Sequence, residues 1–235
     1  MKDYGRSKGK LVGVAAASAA LLGLGYVGMT WLRYGKSEAE NTLPDSLLDR
    51  FMPHYEIREF HETRVAAPAK VAFAVSRELD MQGSGVVRAI FKGRELFMGA
   101  DPDNRRRPQP FLSEVMALGW RILHEEPGRK LVVGAVTRPW EANVTFRGLS
   151  AEEFTRFRQP GYTKIIWTLE AQATGDETSI FRTETRAVTT DPESRRRFRR
   201  YWAMVSPGVV LIRHEMLRQI RGEAAKRFSA AAPPA

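Results

Sequence analysis

The sequence predicts an α+β fold, an antiparallel sheet wrapped around one long C-terminal helix and preceded by a single transmembrane helix. Three observations carry that expectation. Tyr162–Thr174 and Thr178–Thr190 are long runs rich in Ile, Trp, Thr, Phe and Val, parted by the hairpin pair Gly175-Asp176. Beyond them Phe198, Tyr201, Trp202, Val205, Val209, Ile212, Met216 and Ile220 form one apolar stripe at helical spacing, which must bury itself against something. Near the start, Leu11–Leu32 runs 22 residues without a charge, close to the roughly 20 needed to cross a hydrocarbon core.

Composition narrows the function classes. A chain of 235 residues is long enough for a sizeable core in one or two domains. It has no cysteine, hence no disulfide, thiol nucleophile or cysteine metal site. His54, His61, His124 and His214 are scattered without metal-site spacing, so neither metal nor cofactor is expected. The net charge of +10 suggests nucleic acid, but half of it sits in residues 1–36, which hold six basic side chains against Asp3. The other 199 residues share 31 basic and 26 acidic side chains, an ordinary balance, and no nucleic-acid partner is expected.

Residues 1–36 read as a basic segment and membrane anchor with its span at 11–32. Tyr26, Trp31 and Tyr34 gather at the far end, where amphipathic rings favour the interface. A cleaved signal peptide is the rival, but its apolar core is usually about 7–15 residues and no A-x-A site follows this run. Four basic residues before the span against Arg33 and Lys36 after it lean toward an inside N-terminus and a domain outside the cytoplasm. Residues 37–54 read as a linker with a short helix over Asp45–Phe51. Tyr55–Val65 has strand character with imperfect alternation, and helical patterns follow Ala69 and over Val86–Met98. Asp101–Pro110 is a loop by its three prolines, and Phe111–Leu118 a short helix. Strands over Trp120–Glu125 and Lys130–Pro139 flank the turn Glu126-Pro127-Gly128-Arg129. Asn143–Phe146 reads as a short strand, and Ala151–Phe157 as a helix opened by Ser150 with Glu153 at capping-box spacing. After the hairpin, Asp191 is placed to cap the long helix and Pro192 to open it. The domain is expected over 55–222, with a disordered tail at 223–235.

Residues of about 55–221 resemble the START-like superfamily, also called SRPBCC, which includes polyketide cyclases, lipid-transfer domains and pathogenesis-related allergens. The matching stretches are Val65-Ala66-Ala67-Pro68-Ala69-Lys70-Val71, Pro160-Gly161-Tyr162-Thr163-Lys164 with Trp167, Thr183-Glu184-Thr185-Arg186, and Arg195–Trp202. The resemblance implies a helix-grip fold whose sheet and C-terminal helix enclose an apolar cavity for a lipid or a polyketide. It implies no catalytic residue.

Three groups could carry chemistry. Five arginines between Arg195 and Arg200 crowd a helix start, where cations oppose the macrodipole. They would either meet an anion, through Arg196, Arg199 and Arg200, or form a solvated face balanced by Asp191, Glu193 and strand carboxylates. Arg138 with Trp140, at a strand end, offers a second anion or cation–π contact. Glu184 and Arg186 share one face of a strand. A two-residue Gly175-Asp176 turn pairs Trp167 with Glu184 and Ile165 with Arg186, turning both charges into the cavity. A three-residue loop would instead turn Phe181, Thr183, Thr185 and Ala187 inward. The expected cavity lining is Ile165, Trp167, Leu169, Glu184, Arg186, Tyr201, Trp202 and Val205. His61 and His124 are acid–base candidates if they face it. The function expected is a membrane-anchored module binding a hydrophobic, lipid-like small molecule. A cyclase/dehydratase-type enzyme using the same cavity is the alternative, and a structural membrane protein with a filled cavity the second.

Overall fold

In the computed structural model, residues 25–34, 45–101 and 109–231 are described. In chain order they form α1 (Ser46–Phe51), β1 (Ile57–Val65), α2 (Ala69–Glu78), α3 (Gly85–Met98), α4 (Phe111–Ala117), β2 (Arg121–Glu126), β3 (Lys130–Thr137), β4 (Phe146–Arg147), α5 (Ala151–Arg156), β5 (Thr163–Gly175), β6 (Thr178–Thr189) and α6 (Pro192–Ala231). One antiparallel sheet has the order β1-β6-β5-β3-β2, with β4 beside β3. The long α6 lies across one face, which is the helix-grip arrangement. Residues 25–33 are helical. Most of the expected span, 11–24, lies outside the described residues, as do 37–44, 102–108 and 232–235. Among the described residues no helix is long and apolar enough to cross a membrane.

Alternation along the strands splits the side chains between two layers. The odd-numbered residues of β3, β5 and β6 face α6. There Leu131, Val133, Trp167, Leu169, Ala171 and Phe181 pack with Phe73 and Val75 of α2 and with Met216, Leu217, Ile220 and Ala224 of α6. That stripe recurs every four residues through Ile220, Ala224 and Phe228, so α6 continues to Ala231 where a disordered tail from 223 was expected. Its start is as the sequence dictates. Asp191 Oδ1 accepts from the Ser194 N–H at 2.9 Å, and Oδ2 from the Ser194 hydroxyl and the Gly161 N–H, each at 2.6 Å.

The even-numbered face is buried as well. α1 and α5 cover it, with Leu48, Phe51, Met52, Val132, Val136, Phe154 and Ile166 in contact. Ser150 and Glu153 make the expected capping box on α5. Gly134 lets this layer close, since a Cβ there would stand 2.5 Å from Leu123 and 3.2 Å from Phe154. α1 is therefore part of the domain, not of a linker, and ion pairs fasten it at two points. Asp45 caps it and takes the Lys130 ammonium at 2.5 Å, and Asp49 takes the Arg186 guanidinium at 2.6 Å.

The hairpin register differs by one residue from the two-residue Gly175-Asp176 expectation. Gly175 remains in β5, a bulge falls between Ala173 and Gly175, and Trp167 pairs with Thr185, Ile165 with Ala187 and Ile166 with Arg186. Glu184 and Arg186 accordingly face away from α6. They are still buried, at 4% and 1% exposure. Glu184 accepts from Arg58 through both oxygens at 2.9 and 3.0 Å and from Arg186 at 2.7 Å. Arg186 also donates to the Met52 carbonyl at 3.1 Å and stacks on Tyr55. Desolvation opposes the Arg186 charge, but its hydrogen bonds to Asp49 and Glu184 outweigh that and hold its pKa above the ordinary value.

Glu184→Ala strips a buried carboxylate from two guanidinium groups and should cost roughly 3–5 kcal/mol in urea unfolding. Asp191→Ala should cost about 0.5–2 kcal/mol at neutral pH as a lost helix cap. Hydrogen bonds to Ser194 and Gly161 hold the Asp191 pKa below its usual value. Its stabilisation is therefore full above about pH 4 and lost as pH falls toward the lowered native pKa. The gap between Asp191→Ala and the parent should narrow progressively below about pH 4.

Candidate functional site

The side chains facing α6 run apolar, polar, apolar along β1 and β6. Val65 and Phe181 stand at one end of the α6-facing side and Ile57 and Ala187 at the other. Between them Glu59 pairs with Thr185 and His61 with Thr183. Two apolar clusters result. One is the main core with Trp167 and Leu169, and the other joins Ile57 and Ala187 to Phe198 and Trp202, with Ile165, Tyr201, Val205 and Trp140 against it. The polar belt lies between them.

Arg213 of α6 completes the belt. Its guanidinium donates to Thr185 Oγ1 at 2.9 Å and lies 5.6 Å from the Trp167 ring centroid. Desolvation pushes its pKa down to about 10 and the Glu59 carboxylate acts against that, so it stays charged at neutral pH. The side chain is half-buried, and among the described residues it makes that one hydrogen bond and no ion pair, leaving most of its five N–H donors without a protein partner. The His61 ring sits edge-on to His214 with centroids 5.1 Å apart, and its Nε2 lies 3.5 Å from Glu59. His61 Nε2, Thr183 Oγ1 and Ser206 Oγ are buried without hydrogen-bond partners among the described residues. Ser206 and Arg213, seven residues apart, share a face of α6. Buried polar atoms of this kind are rare in folded proteins.

Of the expected lining, Ile165, Trp167, Leu169, Tyr201, Trp202 and Val205 face α6 or belong to it. Glu184 and Arg186 belong to the opposite layer, for the register reason above. An open apolar cavity was expected, but this layer is packed by its own side chains. A cleft of about 410 Å³ lies elsewhere, lined by Lys70, Phe73, Arg77, Leu112 and Gly128 among others. Another, of about 320 Å³, lies beside α1 and α5.

The expected anion contacts disperse. Arg138 donates to the Gly161 carbonyl at 3.1 Å and stacks on Tyr162 at 4.5 Å, while Trp140 packs with the second cluster. Arg196 and Arg197 pair with Glu193 at 2.8 and 2.9 Å, and Arg195 approaches Glu56 at 3.6 Å, which is the solvated-face reading. Arg199 caps the helix at 25–33 through the Trp31 carbonyl at 2.7 Å and lies 4.2 Å over the Trp31 ring. Arg200 is exposed. His124 is on the edge strand β2, 3.7 Å from Glu126, and does not join the belt. Among the described residues no three His, Asp or Glu side chains converge as metal ligands.

Glu59 and Arg213 were not singled out from sequence, and Thr183 and Thr185 were named only as the inward set of the alternative hairpin register. The available signal was the imperfect alternation of β1, whose polar residues occupy inward positions between Ile57 and Val65.

No family model and no curated protein matches the chain. Among solved structures, a hypothetical protein from Helicobacter pylori is 7% identical, with 79% of this chain and 98% of that chain covered and a TM-score of 0.38. The Zhui aromatase/cyclase from Streptomyces sp. R1128 is 16% identical, with 76% and 99% covered and a TM-score of 0.27. Norcoclaurine synthase from Thalictrum flavum, solved with dopamine and hydroxybenzaldehyde, is 12% identical, with 84% and 100% covered and a TM-score of 0.26.

Thr183→Val swaps a buried, unpartnered hydroxyl for a methyl of similar size. It should stabilise the ligand-free protein by about 1 kcal/mol, measured from the thermal midpoint.

Proposed function

We propose that this chain is a binding module that holds a hydrophobic, lipid-like small molecule between its sheet and α6, tethered to a membrane by its N-terminal segment. The observation that carries the first half is the belt, where a half-buried guanidinium and the buried His61 Nε2 and Thr183 Oγ1, without hydrogen-bond partners among the described residues, lie between apolar clusters. An amphipathic guest gives both parts a partner. Access requires α6 to yield, and Pro207 sits between Ser206 and Arg213. Proline has no N–H to return to the carbonyl four residues back, here Ala203, so α6 is weakest beside the belt. Gly208 next to it lets Ile90 of α3 approach, since a Cβ there would stand 2.9 Å from that side chain.

The tether rests on the uncharged Leu11–Leu32 and on what surrounds its described end. Met29 and Leu32 are exposed on the helix at 25–33, which Tyr34 ties to Glu56 at 2.6 Å. Tyr34 and Trp140 belong to one cluster, and Arg94 of α3 donates to the carbonyls of Pro139 and Glu141. Exposed Leu96 and Phe97 of α3 therefore lie toward the same end as the helix at 25–33. Apolar side chains gathered where an apolar segment enters suit a lipid surface.

A cyclase-type enzyme in the same layer is the rival, drawing on His61 beside Glu59 as its acid–base pair. Native mass spectrometry of the detergent-extracted, full-length chain tests the binding reading. A co-purifying lipophilic adduct, displaced by added lipid and recovered unchanged, is the expected result. Reproducible conversion of a polyketide-like substrate, abolished in His61→Ala, would establish the enzyme in its place. The full-length chain should also stay in the pellet on carbonate extraction, and its release would remove the tether.

A further inference from the structure

We infer that the belt receives the anionic oxygen head of the guest, a carboxylate or phosphate monoester, with Arg213 as its principal partner; this rests on the binding module proposed above. Arg213 is a half-buried cation at the border of the apolar layer, with one neutral hydrogen-bond partner at Thr185 and a ring face at Trp167. Glu59 is the carboxylate that acts on it, and Glu59 stands beside His61 with no ion pair to Arg213 among the described residues. A guanidinium presents paired N–H donors that match two oxygens on one carbon or phosphorus, and neutral heads such as a hydroxyl use them poorly.

The surrounding donors have the right placement. Thr183 lies two residues from Thr185 on one face of β6, so the two side chains are about 7 Å apart. His61 stands across the strand pair from Thr183. The Thr183 hydroxyl is free to donate, since Oγ1 has no partner among the described residues. Arg213 and Thr183 can therefore grip one small anionic head together, at a spacing that a carboxylate or phosphate spans. The chain of the guest then continues against Trp167, Leu169 and Met216, which border the belt on the main-core side.

The test is head-group competition on the full-length chain by native mass spectrometry, with palmitate, hexadecyl phosphate and hexadecanol at equal concentration. Palmitate or hexadecyl phosphate adducts should exceed hexadecanol adducts by about tenfold or more, the usual reach of a charge-assisted hydrogen bond. A preference for palmitate alone assigns the head as a carboxylate, and for hexadecyl phosphate alone as a phosphate. Arg213→Gln should erase the preference while hexadecanol still binds. Thr183→Val should reduce it a few-fold and keep the protein folded, and it decides the matter should Arg213→Gln fail to fold. Equal adducts for all three in the parent protein, or an undiminished preference in the variants, overturns the head-group assignment and leaves the apolar reading standing. Absence of any adduct overturns both.

Discussion

The register of β5 against β6 is the constraint on which the rest depends. Side chains alternate between faces with a period of two, so one residue more or less in a strand exchanges its two faces entirely. Here the bulge between Ala173 and Gly175 sets Trp167 opposite Thr185. Phe181, Thr183, Thr185 and Ala187 are thereby sent toward α6, and Glu184 and Arg186 toward α1. β1 pairs with β6 in that same frame, which brings Glu59 and His61 to the α6 side and Arg58 to Glu184. A local feature of one hairpin thus decides both which charges are paired and which stay unpaired.

The two layers treat their polar groups in opposite ways. Between sheet and α1, the charges have partners: Asp49, Arg186, Glu184 and Arg58 form a continuous chain of ion pairs. Desolvation there is offset by several short hydrogen bonds, and the network fixes a six-residue helix that could not persist alone. Between sheet and α6, the polar groups lack such offsets. Each fully buried aliphatic side chain in the neighbouring clusters contributes about 1.5–3 kcal/mol, so the layer tolerates a belt whose Thr183 hydroxyl and His61 Nε2 lack hydrogen bonds among the described residues.

α6 shows how a long helix serves both clusters. Asp191 and Pro192 start it, Phe198 and Trp202 pack at one end, and Met216, Ile220 and Ala224 at the other. Pro207 falls between these two anchored halves of a continuous helix and leaves the Ala203 carbonyl without its N–H partner.

The sequence by itself determined the elements and the chain's main layering. The 3.6-residue stripe after Asp191, the period-two runs of the hairpin, the capping box at Ser150 and the turn at Gly128 are local properties, set by backbone sterics and by residues within a few positions. They yielded the strands and α-helices of the described domain to within a few residues, apart from the last turns of α6. The sequence also marked Ile165, Trp167, Leu169 and Trp202 as facing the long helix or lying on its buried stripe, because apolar periodicity fixes a face without reference to a partner. Only the tertiary structure decided what shares that face. Whether Gly175 belongs to the turn or to the strand depends on the fit of β6 against both β5 and β1, and that choice moved Glu184 and Arg186 to the other layer. It likewise took the packing of α6 to bring Arg213 to Thr185, residues 28 apart in the chain, since no periodicity couples one helix position to one strand position.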